Sequence, residues 1–407
     1  MRVARQIWLD RVIAKPIAWC LNVTARILGF FLRIDHSLDR KFKTIAVCKY
    51  KGLGSIVQAT PLLQTLRKNY PETRIIFITS ESNRALVKRL PMVDEVRTVS
   101  DENFFRLLTS SIRLFTSLWR KVDVYLDLER YSSYSAIMTT MSLARNRFGY
   151  YQRTENYRLG VYTHMMFFNT RAPISEVYLQ FARLLNCKEI VQDLYPVRSG
   201  NTEIIGEMPN APYIIMNPNA SDLRLERRWG KTNFANVASA FITHYPDHSV
   251  VFIGSPSEAA YTQAVVDLIP TEQQHRVVNT AGKTSLDGLL QLLEQAKLVV
   301  SNDTGPMHLA FSLKKPVVAL FGPCHPQQYG QAEFCFPLYK NLYCSPCVHE
   351  FAIPPCKGNN QCMQLIETAE VLQQIQHGLG DEVQTQAKQA QMRFKANNVQ
   401  ALGEVRR

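Results

Sequence analysis

Apolar and polar positions along this chain alternate between two periods. Short β-branched runs such as Thr44-Ile45-Ala46-Val47-Cys48 and Arg74 to Thr79 have the length and composition of buried strands. Between them, Ile56 to Asn69 and Ser82 to Leu90 carry helical spacing. Asp94 to Val99 and Val122 to Leu128 predict further strands, with a helix over Tyr134 to Ala144. After a stretch poor in apolar periodicity, the same alternation restarts at Tyr213-Ile214-Ile215-Met216. It continues through Val250 to Gly254, Val277 to Asn279, Lys297 to Val300 and Pro316 to Pro323. Strands alternating with helices predict parallel, doubly wound sheets.

The pattern divides the chain into a basic leader over 1–40, a first α/β domain over 41–197 and a linker over 198–210. A second α/β domain over 211–380 and a polar tail over 381–407 complete it. Two doubly wound domains predict a ligand cleft facing the carboxyl ends of both sheets.

The leader is a distinct case. Ile17 to Leu32 is apolar but broken by Asn22, Thr24 and Arg26, with Arg2, Arg5, Arg11, Lys15 and Arg33 around it. No run reaches an ordinary transmembrane length, and the pattern predicts a basic amphipathic helix at a membrane interface. A helix packed on the protein itself, and a signal or anchor segment, are the alternatives. Charge supports an anionic partner. The 47 basic and 34 acidic residues leave a net +13, suited to a membrane surface or a phosphorylated ligand. No zinc finger, RNA-recognition signature or heptad-linked basic region directs that charge toward nucleic acid.

The most specific chemistry lies between two of the strands, in Ser301-Asn302-Asp303-Thr304-Gly305-Pro306-Met307-His308-Leu309-Ala310. Gly305 lets the backbone approach a ligand, Thr304 offers a hydroxyl and an N–H, and the helix start presents unpaired N–H groups. Asp303 lies in the turn, and His308 falls one turn into the helix. This string closely resembles the nucleotide-sugar signature of the ADP-heptose:lipopolysaccharide heptosyltransferases, glycosyltransferase family 9. The resemblance covers roughly residues 43 to 370.

Other segments extend it. Asn217-Pro218-Asn219-Ala220-Ser221 followed by Arg227-Arg228-Trp229 resembles the family's Asn-Pro-Gly-Ala turn and its basic residue before Trp-Pro. Asn219 here replaces the usual Gly, and Gly230 the usual Pro. The resemblance implies that Arg227 or Arg228 pairs with the departing diphosphate, and that Glu258, after Gly254-Ser255-Pro256-Ser257, binds ribose hydroxyls. A first-turn Glu favoured by the helix dipole is the alternative for Glu258. Asn279-Thr280-Ala281-Gly282-Lys283-Thr284-Ser285-Leu286 is similar to another family stretch and is not a Walker A loop.

The resemblance implies a GT-B fold, an inverting transfer, an ADP-sugar donor and a lipid-linked anionic glycan acceptor. It also implies a cytoplasmic enzyme, peripheral on the inner face of the cytoplasmic membrane. The chain departs from the family in its first loop. The family has Gly-Asp there, the Asp being the proposed base, whereas this chain has Gly54-Ser55. Serine cannot accept the proton unaided at neutral pH. Glu129, in Asp127-Leu128-Glu129-Arg130, stands at another strand end and is the substitute; a Glu paired with Arg130, Arg145 or Arg147 is the alternative. The missing Asp also admits a non-catalytic nucleotide- or membrane-binding protein, and the architecture admits a sugar-nucleotide epimerase.

No cofactor is required if cations and the helix dipole neutralise the diphosphate. Cys344, Cys347, Cys356 and Cys362, with His349 nearby, have spacing compatible with a structural zinc. Free thiols and disulfides stay open as alternatives.

Overall fold

The computed structural model describes residues 8–151, 156–200, 209, 211–220, 224–330, 332–348, 354 and 356–380. Most of the expected linker over 198–210, all of the expected polar tail over 381–407, and His349 lie outside these. The chain forms two compact units, Met1–Tyr195 and Pro196–Arg407.

In the first unit, β1 (Thr44–Cys48), β2 (Arg74–Ser80), β3 (Glu95–Val99), β4 (Val124–Asp127), β5 (Asn146–Tyr151) and β6 (His164–Phe167) form one parallel sheet in the order β3-β2-β1-β4-β5-β6. The expected strands and helices of this unit are present with small shifts of boundary. The helix expected over Ile56 to Asn69 is two pieces, α2 (Leu53–Gln58) and α3 (Thr60–Asn69), joined at Ala59. Pro61 explains the join, because a proline is tolerated only in the first turn of a helix.

Four elements escaped the sequence reading. They are α4 (Phe104–Leu118), β5, β6 and α6 (Ile174–Leu184). Helix α4 is apolar on two sides. Leu114 and Leu118 enter the core with Ala46, Ile76, Ile78, Tyr125 and Met138, the last from α5 (Ser133–Met141). Gly149 in β5 is needed for packing, since a Cβ there would lie 2.4 Å from the Tyr162 ring.

The leader belongs to this unit. A π-helical turn over Asp10–Ala14 runs into α1 (Lys15–Leu32), and together they make a 23-residue helix, long and apolar enough to cross a membrane. That test is of length and composition alone, and the helix is longer than the apolar run Ile17 to Leu32 because it includes the turn over Asp10–Ala14. Two of the polar residues are anchors. The Asp10 carboxylate accepts from the Ser133 and Tyr134 N–H groups (3.0 and 2.9 Å), capping α5 across the chain. The buried Asn22 Oδ1 accepts from Gly160 N at 2.6 Å. The opposite face keeps Trp19, Ile27, Phe30 and Phe31 exposed.

In the second unit, β7 (Tyr213–Asn217), β8 (Ser249–Phe252), β9 (Val277–Asn279), β10 (Leu298–Asn302), β11 (Val317–Phe321) and β12 (Cys335–Tyr339) form a second parallel sheet in the order β12-β11-β10-β7-β8-β9. Around it stand α7 (Lys231–His244), α8 (Ala259–Val266), α9 (Leu286–Gln295), α10 (Gly305–Ser312) and α11 (Thr368–Leu379). Trp229 is fully buried beside Phe234, and its Nε1 donates to Ile366 O at 2.8 Å. That bond fixes the segment carrying Arg227 and Arg228. The architecture is α/β, two Rossmann-like domains of the GT-B class.

Candidate active site

Each sheet reverses its strand order once, between β1 and β4 and between β7 and β10. At such a reversal the connections leave on opposite sides and open a crevice at the carboxyl ends of the strands. Asn217, Arg227, Asp303, Thr304, Gly305 and His308 fall at one of these places, and Glu129 and Ser55 at the other.

In the second unit, Asn217 ends β7 and reaches across the reversal. Its Nδ2 donates to Ser301 Oγ at 3.0 Å and to Thr304 Oγ1 at 2.7 Å. Asn302 Nδ2 returns a bond to Asn219 O at 3.1 Å, and Asn219 Nδ2 donates to Ile253 O at 2.9 Å. The three turns after β7, β8 and β10 are thus tied together by buried amides. Gly254 allows this, since a Cβ there would lie 2.7 Å from Asn219 Nδ2.

Asp303 is buried in this cluster. Arg227 Nε lies 3.6 Å from its Oδ2, Arg227 Nη1 donates to its carbonyl at 3.1 Å, and His308 Nε2 stands 3.8 Å from Oδ1. Burial alone would raise the carboxyl's pKa, but Arg227 and then His308 outweigh it and hold Asp303 well below the usual range. The same pair keeps Arg227 charged despite its own burial. Arg228 Nε is buried with no hydrogen-bond partner, and Arg227 Nε, also without a hydrogen bond, has only the longer Asp303 contact. Buried donors of this kind are rarely left unpaired, and beside the α10 N-terminus they suit an anion. The Arg228 guanidinium lies 4.0 Å from the Tyr261 ring centroid, and Lys231 Nζ lies 5.2 Å from it. Asn217, Arg227, Asp303, Thr304, Gly305 and His308 therefore share one site, with Arg228 on its border.

Glu258 is engaged locally. Its Oε2 accepts from Ser255 N at 2.8 Å and from Ser255 Oγ at 2.7 Å, a capping box at the start of α8. Glu258 stands in a first turn, the position of the dipole-favoured alternative, and its carboxylate closes a capping box there. Tyr261 and Cys324 were missed as neighbours. Cys324 is buried against Arg227 and Asp303, and burial pushes its thiol up. Only its place three residues after the end of β11 hinted at this.

In the first unit, the reversal is spanned by Lys49 and Glu129. Lys49 follows β1, Glu129 follows β4 by two residues, and Lys49 Nζ donates to Glu129 Oε2 at 2.8 Å. Glu129 Oε1 accepts from Tyr50 N at 2.8 Å and Lys51 N at 3.2 Å. Its ion pair is therefore with Lys49, not with Arg130, Arg145 or Arg147 as the sequence alternative had it. Burial favours the neutral acid, yet Lys49 and the two N–H groups win, and the carboxyl stays below its ordinary value. Ser55 sits in the first turns of α2 beneath Gly52, whose φ of 88° favours glycine. Tyr178 on α6 interacts with Ser55 and feels both Lys49 and Glu129. Ser55 is thus linked to the Lys49–Glu129 pair through Tyr178.

Cys344, Cys347, Cys356 and Cys362 are free thiols. Burial, then the neighbouring sulfurs, pushes Cys362 up to about 11 and raises Cys347. Among the described residues no group of three or more His, Cys, Asp or Glu side chains is arranged to hold a metal ion.

Comparison with known proteins agrees with this geometry. The profile of Glycosyltransferase family 9 (heptosyltransferase) matches residues 111–356. Lipopolysaccharide heptosyltransferase 1 of Campylobacter coli is 21% identical over 361 residues, covering 83% of this chain and 99% of that protein. Lipooligosaccharide heptosyltransferase 2 of Campylobacter jejuni is 25% identical over 327 residues, covering 80% and 95%. The solved structure of E. coli ADP-heptose lps heptosyltransferase II superposes with a TM-score of 0.65 at 23% identity, covering 83% of this chain and 98% of that one. The match spans well over half of the sequence, and the chain belongs to glycosyltransferase family 9, the heptosyltransferases.

Proposed function

We propose that this glycosyltransferase moves a heptosyl unit from ADP-heptose to a lipid-linked, anionic lipopolysaccharide-core acceptor, with inversion at the anomeric carbon. The observation that carries the donor side is the Arg227–Asp303–His308 cluster beside the N-terminus of α10. Asp303 fixes Arg227, and Arg227, Arg228 and the Thr304 and Gly305 amides are placed to receive the diphosphate as negative charge builds on it. These cations and the helix N-terminus supply the charge neutralisation that the leaving diphosphate needs. The heptosyltransferase names of the relatives support the sugar class.

On the acceptor side, Glu129 is the proposed general base. It takes the proton of an acceptor hydroxyl, the oxygen attacks the anomeric carbon, and the bond to the diphosphate breaks on the opposite face. The Lys49 pair favours a second reading, in which Glu129 holds the Lys49–Ser55 loop in place and Tyr178 with Ser55 orients the acceptor. The enzyme is proposed to work at the cytoplasmic face of the inner membrane, with α1 contributing its exposed apolar face.

The test is to incubate purified protein with ADP-heptose and a heptose-deficient lipopolysaccharide acceptor. ADP release with a matching mass gain on the acceptor supports the proposal. ADP release without mass gain, or no ADP-heptose binding, overturns it.

A further inference from the structure

We propose that α4 is a second membrane-contact element, so that α1 and α4 together hold the first unit against an anionic bilayer. The inference rests on the membrane-facing reading of α1 and extends it to an element that the sequence reading did not find. Helix α4 spends one apolar side on the core and leaves another uncovered. Phe105 is 77% exposed and Ile112 55%, with Phe104, Leu108 and Trp119 alongside. Their spacing keeps them on one helical stripe. Large apolar side chains gathered on a surface mark an interaction site.

The chemistry of the border selects the occupant. Between Phe104 and Lys121 the chain carries Arg106, Arg113, Arg120 and Lys121 and no acidic residue. Between Arg11 and Ile34 it carries Arg11, Lys15, Arg26 and Arg33, again with no acid. Glu102, just before α4, is paired with Arg106, which leaves Arg113, Arg120 and Lys121 as the basic border of the stripe; apolar side chains beside such cations suit the headgroup layer of an anionic membrane. A protein partner would require acidic complements that a generic surface does not.

Both helices pack against α5. Ser111 of α4 bonds the Tyr134 hydroxyl at 2.7 Å, while Asp10 caps the first turn of α5 and Ala18 of α1 packs with Ala136. Helix α5 is therefore a support common to both helices.

The test uses the full chain and sedimentation with vesicles of phosphatidylglycerol and phosphatidylethanolamine, or of phosphatidylcholine alone. Wild type should bind the anionic vesicles and lose them as salt rises. Phe105→Glu with Ile112→Glu should weaken binding roughly tenfold or more, while turnover on a water-soluble acceptor fragment and thermal melting stay unchanged. Unchanged vesicle binding in that variant, equal wild-type binding to phosphatidylcholine, or a wild-type dimer that the variant dissolves would each overturn the proposal. Hydrogen exchange on the unmutated protein guards against misfolding. Residues 104–119 should gain protection when anionic vesicles are added, and no gain would sink the idea. Loss of transfer on a soluble acceptor counts against the proposed reaction instead, so the two failures are separable.

Discussion

Lys49 and Glu129 meet 2.8 Å apart across the strand reversal of the first sheet, each side chain only about one-tenth exposed (11% and 12%). A pair so enclosed is costly to break from one side, because the remaining charge is stranded; such losses run to about 3–5 kcal/mol. Lys49→Met should therefore lower the melting temperature distinctly more than an exposed control such as Lys68→Met, measured by calorimetry. Equal melting would show that water reaches the pair.

Glu129→Gln separates the two roles of that carboxylate. As general base, its loss should reduce turnover by about a hundredfold or more, with ADP-sugar affinity unchanged. Steady-state kinetics decides this, and wild-type turnover in the variant leaves the loop-holding role alone.

The pair also sets a pH window. Glu129 has a lowered pKa in the folded state, so its stabilisation is present above the unfolded carboxylate range, about pH 4.3. It is lost as pH falls through the folded value below that. Lys49 has a raised pKa, because Glu129 overcomes its burial. Its contribution is complete below about pH 10.4 and is lost as pH rises through the higher folded value. Denaturant midpoints of wild type and Lys49→Met should differ most between these limits and converge toward acid.

Arg227→Ala should weaken ADP binding by about ten- to a hundredfold by titration calorimetry, the effect of removing a charge-assisted contact. The same change strands the buried Asp303 carboxylate, so Arg227→Lys is the companion variant, expected to keep the fold while losing the fork geometry. Native ADP affinity in both would remove Arg227 from the donor site.

Gly160→Ala targets the leader. A Cβ at Gly160 would lie 2.2 Å from Asn22 Oδ1 and 2.4 Å from Arg26 Cγ. Helix α1 should lift from this edge, read as faster proteolysis near residue 26 while the rest of the unit stays resistant.

Much of this arrangement was legible in the sequence, for identifiable reasons. Strands such as β1 and β10 are short β-branched runs buried on both faces, and no other element produces that pattern. The Asp303–His308 string was legible because several chemically specific residues stand together in one short turn. Helix α4 was not, because its apolar residues face two ways and blur the period. Strands β5 and β6 hide in aromatic, polar-spotted stretches, Asn146–Tyr151 and His164–Phe167. The Lys49–Glu129 pair joins residues 80 positions apart, and only sheet order brings them together. For Glu258 the local cap geometry is legible from Ser-Pro-Ser-Glu alone, and the structure contains that cap.

The bonds that fasten the leader have a consequence for biosynthesis. Asp10 finds its partner 124 residues later, and Asn22 finds its own 138 residues later. Contacts so distant along the chain must wait for the intervening segment and carry its loop-closure entropy. During translation, then, the first helix emerges long before the surface that holds it exists. Through that interval its whole circumference is bare, including the flank that Ala18 and Asn22 later bury. The order of synthesis gives this helix a period in which any apolar surface nearby competes with the protein's own.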